Sequence, residues 1–195
     1  MKTAEKAETL RDLHQAPEIL RVVNVWDAIA TKIVAGLPAT KAIATAGHSI
    51  AGSLGYEDGK MPLQVALTAA EAEKVHFQLN ARTDAIARGT GPLDERLIEA
   101  IKRGRAFLAE GAALVFIPGL ADRESIEQVV AELGRNTVSI IGLPGALTAA
   151  EYQDLGIARI SYGPLVQRVT LLALQNLATD LYGSGVIPVD LPVLN

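Results

Sequence analysis

The chain has 195 residues, a formal net charge of −4, 49% hydrophobic residues and no cysteine. This length predicts one domain with a sizeable core, and an acidic balance without a basic run argues against nucleic acid as a partner. Without cysteine the chain cannot form disulfides or thiolate metal sites, which is typical of proteins in a reducing cytoplasm.

The amino-terminal segment Met1–Arg11 is charged and lacks the apolar stretch of a signal peptide. No apolar run in the sequence reaches the ~20 residues that a membrane-spanning helix needs. We therefore expect a cytoplasmic protein without a membrane partner.

Short apolar runs, predicted as strands, alternate along the chain with segments predicted as helices. Up to residue 81 the predicted order is helix Thr3–Gln15, strand Leu20–Val25, helix Ala28–Ala35, strand Lys41–Thr45, loop Ala46–Lys60, helix Leu63–Lys74 and strand Phe77–Ala81. The predicted order then continues with a helix capped by Asp94 and ending at Glu110, strand Ala112–Ile117, helix Asp122–Leu133, strand Val138–Gly142, a helix to Leu155 opened by a Thr148–Glu151 capping box, strand Ala158–Ser161, a helix from Pro164 to Tyr182, and an extended arm Gly183–Asn195.

The predicted strands are continuously apolar rather than alternating, so both faces of each strand should be covered. Strands that alternate with helices are typical of a parallel sheet or a (β/α) barrel. A closed barrel has eight such units in roughly 250 residues, so this chain is about two units short. The predicted fold is α/β, a TIM-type (β/α) barrel shortened to about six parallel strand–helix units, in a single domain over residues 1–195.

The predicted site is organised around His76–Asp84. Here a buried strand runs directly into Arg82, Thr83 and Asp84, and unpaired charge inside a core is too costly. In parallel α/β proteins the carboxyl end of a strand is where ligands bind. The alternative is a structural ion pair, in which Arg82 and Asp84 contact each other or a neighbouring loop.

Six short motifs along the chain carry a family resemblance. They are Asn24–Ala28, Thr45–Ser49, Ser53–Gly59, Asn80–Asp84, Phe116–Gly119 and Ile160–Pro164. In this order they resemble the isocitrate lyase/phosphoenolpyruvate mutase superfamily, over Leu10 to about Tyr182. Each motif is weak alone, but the ordered set is specific.

The resemblance implies a (β/α)₈ barrel, often with a terminal helix exchanged between subunits. It also implies the making or breaking of C–C or P–C bonds beside a 2-oxo-acid carboxylate, with Mg²⁺ polarising the 2-oxo group. The family holds this metal mostly through acidic residues and water on its third and fourth strands. Here the helix Leu63–Lys74 leads directly into a stretch that resembles the fifth strand. We therefore expect the third and fourth units to be missing, together with most metal ligands and the loop that carries the lyase cysteine.

Five residues match functional positions of the family. Ala46, Gly47 and His48 match a loop whose backbone N–H groups grip the substrate carboxylate. Arg82 matches an arginine that binds a carboxylate or the 2-oxo face, a role suited to guanidinium geometry. Asp58 matches an acidic residue that faces the metal through water. As alternatives, Gly47 is a turn glycine, His48 a loop histidine and Asp58 an Asp-Gly turn residue.

Two functional hypotheses follow. The first is a Mg²⁺-dependent lyase or mutase-like protein acting on small 2-oxo or 2-hydroxy carboxylates, with its chemistry lost or impaired. The physical reason is that one carboxylate cannot hold Mg²⁺ in an octahedral site, so Mg²⁺ would not be bound in the usual way. The alternative is a non-catalytic partial barrel that binds an anion or serves in assembly.

The expected partners are a small carboxylate and a second copy of the chain. Missing units would leave backbone edges on the strands Lys41–Thr45 and Phe77–Ala81, and soluble proteins must cover such edges. We therefore expect a homodimer or larger assembly with an apolar interface, which the arm Gly183–Asn195 could extend.

Overall fold

The computed structural model describes residues 3–45, 49, 51–52, 55–57, 78–187 and 189. Strands and helices alternate along these residues. In chain order the elements are α1 (Thr3–Gln15), β1 (Leu20–Val25), α2 (Ala28–Ala35), β2 (Ile43–Thr45), β3 (Asn80–Arg82), α3 (Leu93–Ala109), β4 (Leu114–Phe116), α4 (Arg123–Leu133), β5 (Val138–Ile141), α5 (Ala149–Leu155), β6 (Arg159–Ser161) and α6 (Leu165–Ser184).

All the strand pairings are parallel, and the strand order is β2-β1-β6-β5-β4-β3. Strand β1 has two partners along its length, because Leu20–Val22 pairs with β6 and Val23–Val25 pairs with β2. Among the described residues, β2 and β3 each pair with one strand. These pairings confirm the predicted α/β fold class, with six parallel strands in units of strand and helix.

The residue contacts divide the chain into two compact units. The first consists of Met1–Val22 with Ala70–Ser161, and the second of Val23–Ala69 with Tyr162–Asn195. The first unit has a core in which Leu114, Val138 and Ile140 are fully buried. Such burial is expected of β4, which is apolar throughout, and of β5, which is apolar apart from Ser139. That the chain forms a single domain stays a prediction.

Short-range sequence signals set several helix starts. Asp27 caps α2 by accepting a hydrogen bond from Ala30 N at 2.7 Å. The predicted capping box of α5 is confirmed, since Thr148 and Glu151 bond each other's backbone N–H groups. The predicted cap at Asp94 is wrong: α3 begins at Leu93 after Pro92, and Asp94 lies in the first turn. A carboxylate is favourable there too, because it faces the positive end of the helix dipole.

Other boundaries differ from the predicted ones by a few residues. β3 includes Arg82, which was expected just beyond the strand. α6 continues to Ser184, so Gly183 lies in the last turn of a helix rather than opening an arm. The predicted helix Leu63–Lys74 lies outside the described residues, as does most of the loop after β2. Within the described part of the chain, no helix is long and apolar enough to cross a membrane.

Candidate functional site at the carboxyl ends of the strands

Arg82 and Asp84 form an ion pair at the end of β3. Arg82 donates from Nε at 2.9 Å and from Nη2 at 2.7 Å, both to Oδ1 of Asp84. The Arg82 side chain is 50% exposed and that of Asp84 34% exposed. The structural ion pair considered from the sequence is therefore present. It engages only part of the guanidinium donors and leaves the group accessible to solvent.

The neighbouring strand supports the guanidinium from one side. Arg82 is in register with Phe116 across the β3–β4 pair. Its guanidinium carbon lies 5.7 Å from the centre of the Phe116 ring. A cation–π contact at such a site contributes about 0.5–1 kcal/mol and holds the planar group in one orientation. The strand pairing thus presents Arg82 as an oriented cation.

The turn after Arg82 is fixed by buried groups. Thr83 is 2% exposed, and its backbone N–H donates to the carbonyl of Phe116 at 3.0 Å. Gly119, in the loop after β4, has φ +88°, and a Cβ there would lie 3.3 Å from Ala87 N. This close backbone approach places the loop after β4 against the turn that follows Asp84.

The second unit has its own polar junction, built on Asn24 near the end of β1. Asn24 is 5% exposed, and its Oδ1 accepts hydrogen bonds from the backbone N–H groups of Tyr162 and Gly163, each at 2.8 Å. Its Nδ2 donates to the carbonyl of Thr45 at 3.1 Å. One amide therefore connects the end of β1 with the end of β2 and with the backbone of Tyr162 and Gly163.

This role of Asn24 was not predicted from the sequence, where the residue entered only as part of a motif. A signal was available in the pattern of β1. Asn24 lies between Val23 and Val25 in a strand whose other polar residue is Arg21, and a buried amide needs partners for both its donor and its acceptor.

Four of the five predicted site residues, namely Ala46, Gly47, His48 and Asp58, lie outside the described residues. The fifth, Arg82, is described above. Among the described residues, no three His, Cys, Asp or Glu side chains form a group that could hold a metal ion. The roles expected of the other four residues stay predictions.

An apolar groove of about 390 Å³ lies beyond β4 and β5, lined by Ala121, Asp122 and Leu143–Leu147. Its one carboxylate is already used, since Asp122 caps α4 by accepting from Ser125 N at 2.9 Å. The groove therefore offers apolar contact but little polar recognition.

The sequence matches the family model described as phosphoenolpyruvate phosphomutase in two segments, residues 10–70 and 62–182. The chain belongs to the phosphoenolpyruvate phosphomutase family. This confirms the resemblance drawn from the six motifs. The two matched segments overlap at residues 62–70, which include most of the predicted helix Leu63–Lys74; the two missing units are expected directly after that helix.

Solved structures similar to this family member share its fold. A candidate phosphonomutase from Burkholderia cenocepacia J2315 has a TM-score of 0.81 and 22% identity, covering 92% of this chain and 99% of its own. A 2,3-dimethylmalate lyase has a TM-score of 0.74 and 18% identity, covering 97% and 91%. A phosphonopyruvate hydrolase, solved with oxalate and Mg²⁺, has a TM-score of 0.69 and 17% identity, covering 96% and 92%. A search of curated protein sequences returns no match.

Proposed function

We propose that this family member binds a small 2-oxo or 2-hydroxy carboxylate at the carboxyl end of β3, and that the family's Mg²⁺-dependent bond cleavage is lost or impaired. The observation that carries the proposal is the oriented, half-exposed guanidinium of Arg82. A carboxylate can use the Arg82 donors that Asp84 leaves open, because guanidinium and carboxylate groups match as planar partners.

The proposal that the Mg²⁺-dependent bond cleavage is lost or impaired depends on the number of metal ligands. The phosphonopyruvate hydrolase named above was solved with Mg²⁺ and oxalate. In this chain the sequence offers Asp58 as a single matched acidic ligand, whereas an octahedral Mg²⁺ site keeps waters and needs further protein or substrate oxygens. We propose that any Mg²⁺ affinity is weak and depends on a bound carboxylate. Calorimetric titration with Mg²⁺, with and without oxalate, tests this point.

Substitution of Arg82 by lysine should weaken oxalate binding by about 1–3 kcal/mol, or roughly 5- to 150-fold in Kd. Lysine keeps the charge but loses the planar donors and the stacking on Phe116. Calorimetry with oxalate on the wild type and on Arg82→Lys measures the difference.

Arg103→Lys is a matched control for this experiment. Arg103 is 49% exposed and forms an ion pair with Glu99 at 2.7 Å, on helix α3 rather than at a strand end. The control should bind oxalate like the wild type. Equal oxalate affinity in the wild type and Arg82→Lys would remove Arg82 from the site, and no binding to the wild type would contradict the proposed function.

We also propose that the chain assembles with a second copy of itself, and that α6 lies in the interface. No residue of this 20-residue helix is buried. Its exposed apolar side chains include Val169, Leu171, Leu172 and Leu174, which are 69, 54, 56 and 60% exposed. Helices in water are stabilised mainly by packing of an apolar face, so a partner surface for α6 is expected. The terminal helix exchange implied by the family resemblance supports a second copy as that partner.

The wild type should be a dimer or larger at micromolar concentration, and Leu171→Glu with Leu174→Glu should shift it toward monomer. Two buried carboxylates would be too costly in an apolar interface. Light scattering coupled to size exclusion measures the mass. The control is Ile98→Glu, because Ile98 is 63% exposed on α3 and should not alter assembly. A monomeric wild type would contradict the proposal.

A further inference from the structure

The turn of residues 85–88 directly follows Asp84, so its backbone sets where the Asp84 carboxylate lies. Within this turn the N–H of Arg88 donates to the carbonyl of Asp84 at 2.9 Å. The N–H of Ala85 donates to Oγ1 of the buried Thr83 at 3.3 Å, and Ala85 is itself buried. The turn is therefore packed into the protein, and a shift of its backbone would move Asp84 as well.

Arg96, in the first turn of α3, reaches back to this turn. Its Nη1 donates to the carbonyl of Ile86 at 2.7 Å, in a partly buried position. Among the ion pairs formed by the described residues, none involves Arg96. A hydrogen bond from a charged donor is stronger than one between neutral groups. The Arg96 guanidinium is thus directed at the backbone of the turn rather than at a carboxylate.

Two glycines show how closely the turn is held. A Cβ at Gly89 would clash with the carbonyl oxygen of Ala85 and would lie 3.0 Å from Cδ of Arg96. On the other side, a Cβ at Gly119 would lie 3.2 Å from Cγ2 of Ile86. The turn is therefore packed between the side chain of Arg96 and the loop after β4.

We propose that Arg96 is a positioning residue for the carboxylate site, because through the carbonyl of Ile86 it holds the turn that keeps Asp84 against Arg82. This inference rests on the proposed function, in which Arg82 binds a small carboxylate. Arg82 gives its Nε and Nη2 to Oδ1 of Asp84, so the direction of its remaining donors depends on where Asp84 lies. If Asp84 moves, the Arg82 side chain has to be ordered by the ligand itself, and this ordering weakens binding.

The test follows the Arg82 Nε–H group and oxalate binding in the same full-length variants. Nitrogen–proton nuclear magnetic resonance detects the Nε–H signal, which Arg82→Lys assigns by its loss. In Arg96→Met this signal should move toward that of a solvated arginine, and the Kd for oxalate, measured by calorimetry, should rise roughly tenfold. Arg96→Lys should restore most of both values, because one bond to a carbonyl needs a charged donor but not a planar fork.

Arg105→Met is the matched control, because Arg105 lies on the same helix and pairs with Glu132 of α4. It should change neither the Arg82 signal nor oxalate affinity. The inference is overturned if Arg96→Met leaves either value as in the wild type, or if Arg105→Met changes both as much. Arg96→Gln, whose side chain is shorter than that of arginine, gives the same test if Arg96→Met does not fold. Failure of the wild type to bind oxalate contradicts the proposed function instead, and the Arg82 signal then still decides whether Arg96 positions the ion pair.

Discussion

Replacing Asn24 by leucine should lower the free energy of unfolding by roughly 3 to 5 kcal/mol. Leucine has a similar volume but no polar atoms, so the N–H groups of Tyr162 and Gly163 and the carbonyl of Thr45 would lose their partner. Urea unfolding at neutral pH should show a midpoint lower by about 1–3 M.

Asn80→Ala provides the comparison for that experiment. Asn80 lies in β3 and makes one side-chain hydrogen bond, accepting from Ser139 Oγ at 2.8 Å. Its loss should cost about 1 kcal/mol. If Asn24→Leu unfolds at the same urea concentration as Asn80→Ala, the three hydrogen bonds of Asn24 contribute no more to stability than the single hydrogen bond of Asn80, and the prediction is wrong.

The second large effect is expected on acidification, through His14. Burial of its ring lowers its pKa to about 4 in the folded protein, against the ordinary 6.5. Between these two pH values His14 is protonated in the unfolded chain but neutral in the folded protein. The free energy of unfolding therefore falls as the pH falls from about 6.5, and the loss is complete near pH 4. The full loss is roughly 3 kcal/mol. Chemical unfolding at constant ionic strength over this range measures it.

His14→Gln isolates this contribution, because glutamine does not titrate. Carboxyl groups with lowered pKa values, such as Glu151, also reduce stability in acid, but they act equally in both proteins. The difference in stability between wild type and His14→Gln should therefore change with pH by the amount expected of His14 alone. A constant difference from pH 7 to 4 would contradict the burial of a neutral ring.

The order and type of the elements could be predicted because apolar runs and caps are local signals. The strand β4 is apolar throughout and β5 is apolar apart from Ser139, and the Thr148–Glu151 box marks a helix start whatever surrounds it. The Asp94 cap was wrong because Pro92 ends the preceding segment in an extended conformation, so the helix begins one residue before the acidic side chain. The first residue of the helix depends on the backbone conformation of Pro92, which the residue types alone do not show.

The candidate site was predictable only in part, because its decisive contacts join distant residues. The sequence placed Arg82 at a strand end, but it left open whether Asp84 or a ligand would pair with it. The stacking on Phe116 depends on the register of β3 against β4. Asn24 likewise bonds residues 138 and 139 positions away, and this pairing follows only once β1 and β6 are known to be neighbours.

Gly119 restricts the substitutions that this sequence can accept during evolution. Any other residue there would need a positive φ and would press a Cβ to 3.2 Å from Ile86 Cγ2, beside the backbone of Ala87. Because the turn containing Ile86 and Ala87 follows Asp84, such a change would move the partner of Arg82 without touching either charged residue. Substitutions at Gly119 should therefore be tolerated only together with compensating changes in residues 85–88, so the two loops are expected to vary as one unit.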